Sequence, residues 1–121
     1  MNFRVINIRD KKYVECVSSE VKLKTEQDTL DLIAATWEND TGLLMINGEV
    51  LSEDFFNLST GVAGAMLQKL VNYHVKTAAV IPDELVNNVR FREMALETNK
   101  GNHFRILDNR EEAENWLIGI I

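Results

Sequence analysis

Two short apolar runs constrain the fold of this chain more than any other feature. Residues 43–46 (LLMI) end at Asn47-Gly48, and residues 77–81 (TAAVI) end at Pro82-Asp83. Short runs with almost no polar interruption are typical of strands that are buried on both faces. Segments with helical periodicity precede and follow each run, so the pattern predicts a parallel sheet whose strands are joined by helices.

The remaining segments extend this pattern to the order β-β-α-β-α-β-α-β-α. Residues 3–8 and 13–18 alternate in character on either side of Asp10-Lys11-Lys12, which predicts an antiparallel hairpin. Further helices are predicted over residues 26–38, 60–73, 88–98 and 110–118, with a last strand over residues 103–107. We expect a single α/β domain over residues 1–121, with a mostly parallel sheet, an N-terminal antiparallel edge hairpin and helices packed on the sheet.

Capping residues and spacing predict details of these helices. Thr25 is the expected N-cap of the first helix, and Asp108 or Asn109 that of the last. Gly101 is expected to be a left-handed cap after the third helix. The apolar residues that follow Thr25 at helical spacing are Leu30, Ile33, Ala34 and Trp37.

The charge of the chain argues against some partners. The formal net charge is −6, and the longest run of positive residues is Lys11-Lys12. Nucleic-acid binding needs a basic footprint, and anionic membrane surfaces also attract basic segments, so neither partner is expected. No apolar run approaches the ~20 residues that span a bilayer, and the first residues do not resemble a signal peptide. We expect a cytoplasmic protein whose partner is another protein or a small molecule.

Searches for catalytic and metal-binding patterns give no match. His74 and His103 stand alone, with no histidine or cysteine at ligand spacing. Cys16 lies in an apolar strand segment, where a small buried hydrophobe is expected. There is neither a Gly-x-Ser-x-Gly elbow nor a phosphate-binding loop that ends in Gly-Lys-Ser/Thr. We therefore expect no catalytic residue, no metal and no cofactor.

One constellation stands out, at the start of the second predicted helix. Ser59 and Thr60 place two hydroxyls beside Gly61, and Gly64 follows within the helix. Free amides at a helix N-terminus can bind an anion, and a hydroxyl there can carry a phosphate. The simpler interpretation is that a hydroxyl caps the helix, while Gly64 allows close packing or the approach of a ligand, which offsets its cost of about 1 kcal/mol.

The element order, residues 59–64 (STGVAG) and the ending over residues 104–117 resemble the STAS domain, the fold of bacterial anti-sigma-factor antagonists and sulfate-transporter tails. Residues 53–56 (EDFF) and 99–101 (NKG) are similar to an uncharacterised bacterial family of STAS-like domains of unknown function. In the antagonists, a partner kinase phosphorylates the second hydroxyl of an Asp-Ser-Ser/Thr-Gly motif. The resemblance places that hydroxyl at Thr60, with Leu58 where the motif has its aspartate.

This resemblance favours a non-catalytic regulatory or protein-interaction module, and two alternatives stay open. The first is a small-molecule or lipid-binding domain, and the second is a small enzyme. The interaction surface would combine residues 53–60 with the first turns of the second helix. The candidate side chains for these three roles are Glu53, Asp54, Phe55, Phe56, Lys69, Tyr73, Met94 and Asn99, of which Lys69, Tyr73 and Asn99 would serve the enzyme.

The ends of the chain favour a homodimer. The first strand of the hairpin leaves an unpaired edge, and residues 118–121 (IGII) are apolar. Exposed apolar segments often mark contacts with a partner. We therefore expect a second copy of the chain among the possible partners.

Overall fold

The computed structural model describes residues 1–119. Ile120 and Ile121, which belong to the apolar segment expected to favour dimerisation, lie outside the described residues. The strands are β1 (Asn2–Ile8), β2 (Lys11–Ser18), β3 (Leu43–Asn47), β4 (Lys76–Val80) and β5 (Phe104–Leu107). The helices are α1 (Glu26–Glu38), α2 (Glu53–Phe56), α3 (Val62–Asn72), α4 (Val89–Thr98) and α5 (Arg110–Ile118).

The strands form one sheet in the order β1-β2-β3-β4-β5. β1 pairs antiparallel with β2, and each later pair of neighbours is parallel. In the centre, Leu44 of β3 lies beside Thr77 of β4, and Thr77 beside Phe104 of β5. This arrangement confirms the predicted α/β fold with a mostly parallel sheet and an antiparallel edge hairpin.

Helices cover the two faces of the sheet unequally. One core joins a face of the sheet to α1, α2, α3 and α4, with Leu32, Met66 and Phe91 fully or almost fully buried. The second core joins the opposite face to α5 through Ala113 and Leu117. The chain therefore leaves β4 towards one face of the sheet, as α4, and leaves β5 towards the other, as α5.

The hairpin turn lies one residue earlier than the sequence suggested. Ile8 pairs with Lys11, and the turn residues Arg9 and Asp10 have φ angles of 52° and 64°. Two consecutive residues with positive φ are typical of a type I′ turn, whose twist matches that of the flanking strands. Lys11 and Lys12 thus belong to β2 rather than to the turn.

Three local expectations are wrong. Of the apolar residues at helical spacing in α1, Ile33 is buried but Trp37 is 57% exposed, because the buried face also runs through Thr29 and Leu32. α4 ends at Thr98 with Asn99 as its C-cap, and Gly101 is not among the described residues with positive φ. Gly64 is exposed, and a methyl group added there would meet no atom within 4 Å, so close packing within this chain does not explain it.

Within residues 1–119, no helix combines the length and the apolar composition that a bilayer crossing requires.

Candidate functional site

The hydroxyl-rich segment before α3 forms a self-contained turn. Thr60 Oγ1 donates to the carbonyl oxygens of Asp54 and Asn57, at 2.6 and 2.9 Å, and accepts from the Val62 amide at 3.2 Å. Ser59 Oγ donates to Asn57 Oδ1 at 2.7 Å. Gly61 has a φ angle of 79°, a left-handed conformation that favours glycine. Both hydroxyls are exposed, and both already take part in hydrogen bonds of the turn.

The side chains predicted for the interaction surface separate into exposed and buried sets. Glu53 is exposed and Asp54 half-buried in the first turn of α2. Phe55 is fully buried, with ring centroids 5.5 Å from Phe56 and 5.8 Å from Phe91. Phe55 therefore belongs to the core. Phe56 is half-buried and lines a cleft of about 360 Å³ together with Glu53 and Leu51. The other side chains predicted for an apolar pocket do not line this cleft: Phe55, Tyr73, Met94, Lys69 and Asn99.

The three residues proposed for an enzyme have separate partners. Lys69 Nζ lies 2.5 Å from Glu26 Oε1, and this hydrogen bond raises the pKa of Lys69 and lowers that of Glu26. The Tyr73 ring packs edge-on against Trp37, with 5.5 Å between centroids. Asn99 binds the backbone of β5. Among the described residues, no hydrogen bond joins Lys69 or Tyr73 to Asn99.

Asn99 closes one edge of the sheet. Its Nδ2 donates to the Ile106 carbonyl at 2.8 Å, and its Oδ1 accepts from the Ile106 amide at 2.7 Å. Thr98 Oγ1 donates to the Phe104 carbonyl at 3.2 Å. These side chains bind the outward carbonyls of Phe104 and Ile106 and the Ile106 amide, at an edge of the sheet where β5 has no further strand beside it within residues 1–119.

A cleft of about 430 Å³ opens beside Asn99, between α4 and α5. It lies at the carboxyl ends of β4 and β5, and Asn99 is the predicted site residue that lines it. Its floor is apolar and includes Ile81, Val86 and Ile106, all buried. In open α/β sheets, ligands bind in crevices at the carboxyl ends of strands, and this cleft has that position.

The rim of the cleft carries more negative than positive charge. Asp83, Asp108 and Glu112 line it, and none of these carboxylates forms an ion pair within residues 1–119. The one guanidinium of the lining belongs to Arg92, whose Nη2 donates to the Val86 carbonyl at 2.8 Å. An apolar group can therefore rest on the floor of the cleft while a polar group meets the carboxylates.

Sequence reasoning missed this cleft because its lining comes from segments about thirty residues apart. The available signal was positional: Pro82-Asp83 and Asp108 each follow a predicted strand directly. The carboxyl ends of neighbouring parallel strands lie at the same edge of the sheet. The sequence did not indicate that β4 and β5 are neighbours, or that α4 and α5 leave the sheet on opposite faces.

A second cluster of charged groups holds α5 against β2. Tyr13 is fully buried, and its hydroxyl donates to Glu114 Oε2 at 2.5 Å and accepts from Arg110 Nη2 at 3.0 Å. Burial, and next the hydrogen bond to Glu114, raise the pKa of the Tyr13 hydroxyl well above its usual range. Glu15 is buried between Arg4 and Arg110, each 3.1 Å away. Because its members bind one another, we interpret this cluster as structural.

Neither Cys16 nor a group of metal-binding side chains forms a reactive centre in the described part of the chain. Burial raises the pKa of the Cys16 thiol to about 11, so the thiol stays protonated at neutral pH. Within residues 1–119, no three His, Cys, Asp or Glu side chains are grouped so that they could hold a metal ion.

Sequence comparison assigns the chain to a family. The profile of a family described as "Domain of unknown function (DUF4180)" matches residues 8–117. No curated protein and no solved structure matches the chain. Since the match covers most of the sequence, the chain belongs to this family. The predicted membership of an uncharacterised family is confirmed, whereas its STAS-like and bacterial character stay predictions.

Proposed function

We propose that this member of the DUF4180 family is a non-catalytic regulatory domain that binds a small amphipathic organic cation in the cleft between α4 and α5. The observation that carries the proposal is the cleft itself, with a volume of about 430 Å³ at the carboxyl ends of β4 and β5. Concave sites with an apolar lining and a few polar groups are where small ligands usually bind.

The composition of the cleft supports the class of ligand. Leu96, which is 70% exposed, lines the cleft above the buried Ile81 and Ile106, and this apolar surface favours a hydrocarbon or aromatic body. Asp83, Asp108 and Glu112 outnumber Arg92, whose guanidinium is already engaged with a backbone carbonyl. A primary amine or a guanidinium attached to an apolar body therefore complements both the floor and the rim.

The attachment of α4 supports a regulatory role. Phe91 is the one residue of this helix that is buried, while Val89 and Leu96 are 71% and 70% exposed. A helix with so few buried contacts has a small free energy of local opening. A ligand that contacts both α4 and the sheet would stabilise the closed position, so its binding would change the surface that α4 presents. This adds to the regulatory role that the STAS resemblance implies.

The non-catalytic part of the proposal rests on the separation of candidate groups. Lys69 is paired with Glu26, Tyr73 with Trp37, and Asn99 with the backbone of β5. A general acid or base must lie within hydrogen-bond reach of the reacting group. Of these three candidates, the cleft contains Asn99 alone, beside its carboxylates and Arg92.

The proposal is tested with three probes that share one apolar body: hexylamine, hexanol and hexanoate. Titration of the isotope-labelled chain, followed by amide NMR shifts, is expected to give shifts confined to residues that line the cleft. The expected order of affinity is amine, then alcohol, then acid, because the rim is negative. Shifts spread over the whole surface, or none from any probe, would overturn the proposal.

A matched pair of variants separates the charge of the cleft from that of the surrounding helix. Glu112→Gln removes a lining carboxylate and is expected to weaken hexylamine binding by up to about fivefold, the effect of one exposed ion pair. Glu111→Gln removes a neighbouring exposed carboxylate outside the lining and should leave the affinity unchanged. Equal effects of the two substitutions would indicate general charge attraction rather than this site.

A protein-interaction role is the second candidate, and Gly64 favours it. This residue is exposed in the first turn of α3, and no contact among residues 1–119 explains the absence of a side chain. Gly61 and Ala65 lie on the same exposed side, next to the hydroxyls of Ser59 and Thr60. Under this hypothesis a partner approaches α3 closely, and phosphorylation of Thr60 prevents it. The partner captured by the native chain should then be retained by Thr60→Ala and lost by Thr60→Asp and Gly64→Arg.

A further inference from the structure

The two edges of the sheet differ in how their backbone groups are satisfied. At the β5 edge, Thr98 and Asn99 occupy the outward carbonyls of Phe104 and Ile106 and the Ile106 amide. At the β1 edge, no side chain within residues 1–119 binds an outward backbone group of β1. Open edges of this kind pair readily with another strand, and proteins usually block them with proline, charged side chains, bulges or a covering segment. β1 has no proline, its register irregularity lies at its start, between Asn2 and Phe3, and its one charged side chain, Arg4, is paired with Glu15.

The hairpin turn determines which backbone groups face outward. A two-residue turn closes on a hydrogen-bonded pair, which here is Ile8 with Lys11. Ile8, Ile6 and Arg4 therefore direct their amide and carbonyl groups towards β2. The corresponding groups of Phe3, Val5 and Asn7 are directed away from the sheet, and this outward set is symmetric about Val5.

We propose that β1 pairs antiparallel with β1 of a second copy of this chain, with the two-fold axis beside Val5. In that register Val5 exchanges hydrogen bonds with the partner's Val5, and Phe3 exchanges them with the partner's Asn7. The outward groups of one strand thus meet those of the other without an unpaired position between them. The two sheets become one continuous sheet.

The side chains of β1 are compatible with this pairing. Phe3 and Val5 are 37% and 39% exposed and lie on the same face of the strand. In the proposed register Val5 would pack against the partner's Val5, and Phe3 would lie opposite the partner's Asn7. Arg4 is the charged residue of β1, and the proposed register places it opposite the partner's Ile6. Its guanidinium already pairs with the buried Glu15 at 3.1 Å. The register therefore brings no unpaired like charges directly opposite each other.

Symmetry also favours this pairing over other edge contacts. Pairing of β1 with the same strand of a second copy forms a closed two-fold dimer. Pairing of β1 with β5 of another copy would add further copies without limit, and Asn99 blocks the β5 edge. The structure therefore combines one open, self-complementary edge with one closed edge.

The test uses the position of Val5 on the two-fold axis, where one substitution places two identical side chains opposite each other. Light scattering and sedimentation of the full chain are expected to give twice the chain mass of 13.8 kDa. Val5→Lys and Val5→Glu should each weaken the dimer by about fivefold or more, because like charges directly opposite each other destabilise a sheet. An equimolar mixture of the two variants should restore it.

Val5→Thr is the matched control, since it keeps β propensity and adds no charge. It should remain dimeric, and circular dichroism should show that all the variants fold. A native chain that is monomeric at every concentration would overturn the proposal. So would a dimer that neither charged substitution weakens, or a mixture that fails to recover it.

Discussion

Two glycines of this chain have opposite surroundings. A methyl group added at Gly48 would lie 2.6 Å from the Val80 carbonyl oxygen and 2.9 Å from Ile81 Cγ1. A methyl group added at Gly64 would meet no atom within 4 Å. Glycine in a helix interior costs about 1 kcal/mol relative to alanine. Because Gly64 lies in the first turn of α3, Gly64→Ala is expected to raise the free energy of unfolding by up to that amount. Gly48→Ala should lower it, since the backbone of β4 must move. Urea unfolding followed by circular dichroism measures both changes.

Gly101→Ala is the control for these two substitutions. Gly101 does not have positive φ, and its added methyl group would lie at an ordinary 3.6 Å from the Thr98 carbonyl oxygen. A small change is therefore expected. If Gly64→Ala were strongly destabilising, the open surroundings of Gly64 would be contradicted. If it were stabilising but abolished capture of a partner, the residue would be retained for binding rather than for folding.

Single residues were harder to place from the sequence than the segments that contain them. α1 has two overlapping stripes at helical spacing, one through Leu30 and Trp37 and one through Thr29 and Leu32. Periodicity identifies a helix, but the shape of the opposing core selects the stripe. In this fold Thr29 and Leu32 are buried, with the Thr29 hydroxyl 3.5 Å from the Thr25 carbonyl oxygen, and Trp37 packs on Tyr73 at the surface.

At the scale of elements, the start of α1 offers a prediction about pH. Thr25 Oγ1 accepts from the Asp28 amide at 3.0 Å, and Asp28 Oδ2 accepts from the amides of Thr25 and Lys24 at 2.9 Å. Partial burial acts to raise the pKa of Asp28, but these hydrogen bonds to the charged form outweigh it and lower the pKa. Thr25→Ala is expected to lower the free energy of unfolding by about 1 kcal/mol at neutral pH.

The sign of the pH effect follows from the lowered pKa. The Asp28 carboxylate contributes stability above its unfolded-state pKa of about 3.9, and this contribution is lost as the pH falls through the lower folded-state pKa. Asp28→Asn should therefore lose stability at neutral pH and lose less on acidification than the native chain. Asp31→Asn, at an exposed position of the same helix, is the control. Parallel stability curves for the native chain and Asp28→Asn would contradict the prediction.

The caps that begin α1 and α5 were predicted from the sequence, whereas the cap that ends α4 was not, for a physical reason. Thr25 and Asn109 cap α1 and α5 as expected, because a cap at the N-terminus is a contact between residues a few positions apart. The end of α4 depends instead on Asn99, whose amide binds Ile106 across the edge of the sheet. Such a contact requires the fold to be known first. For the same reason, the cleft could be located only after β4 and β5 were known to be neighbours.

At the scale of the whole molecule, α4 is the least anchored of the long helices. It buries Phe91 alone, whereas α1 buries five residues and α3 buries three. Its ends are held by side-chain amides: Asn88 Nδ2 donates to the Phe56 carbonyl at 3.1 Å, and Asn99 binds both backbone groups of Ile106. Because local opening requires little apolar surface to be exposed, α4 should open at a lower free energy than α1, α3 or α5.

Hydrogen exchange measured by mass spectrometry tests this hierarchy. Amides of α4 are expected to exchange faster than those of α1, α3 and α5, and Asn99→Ala should accelerate exchange in α4 and at Ile106 while α5 is unchanged. Lys100→Ala removes a neighbouring exposed side chain and should leave the pattern as it is. If Asn99→Ala accelerated exchange equally in every helix, α4 would be opening only with the whole domain. The cleft would then be a rigid site, and a ligand bound there could not regulate the position of α4.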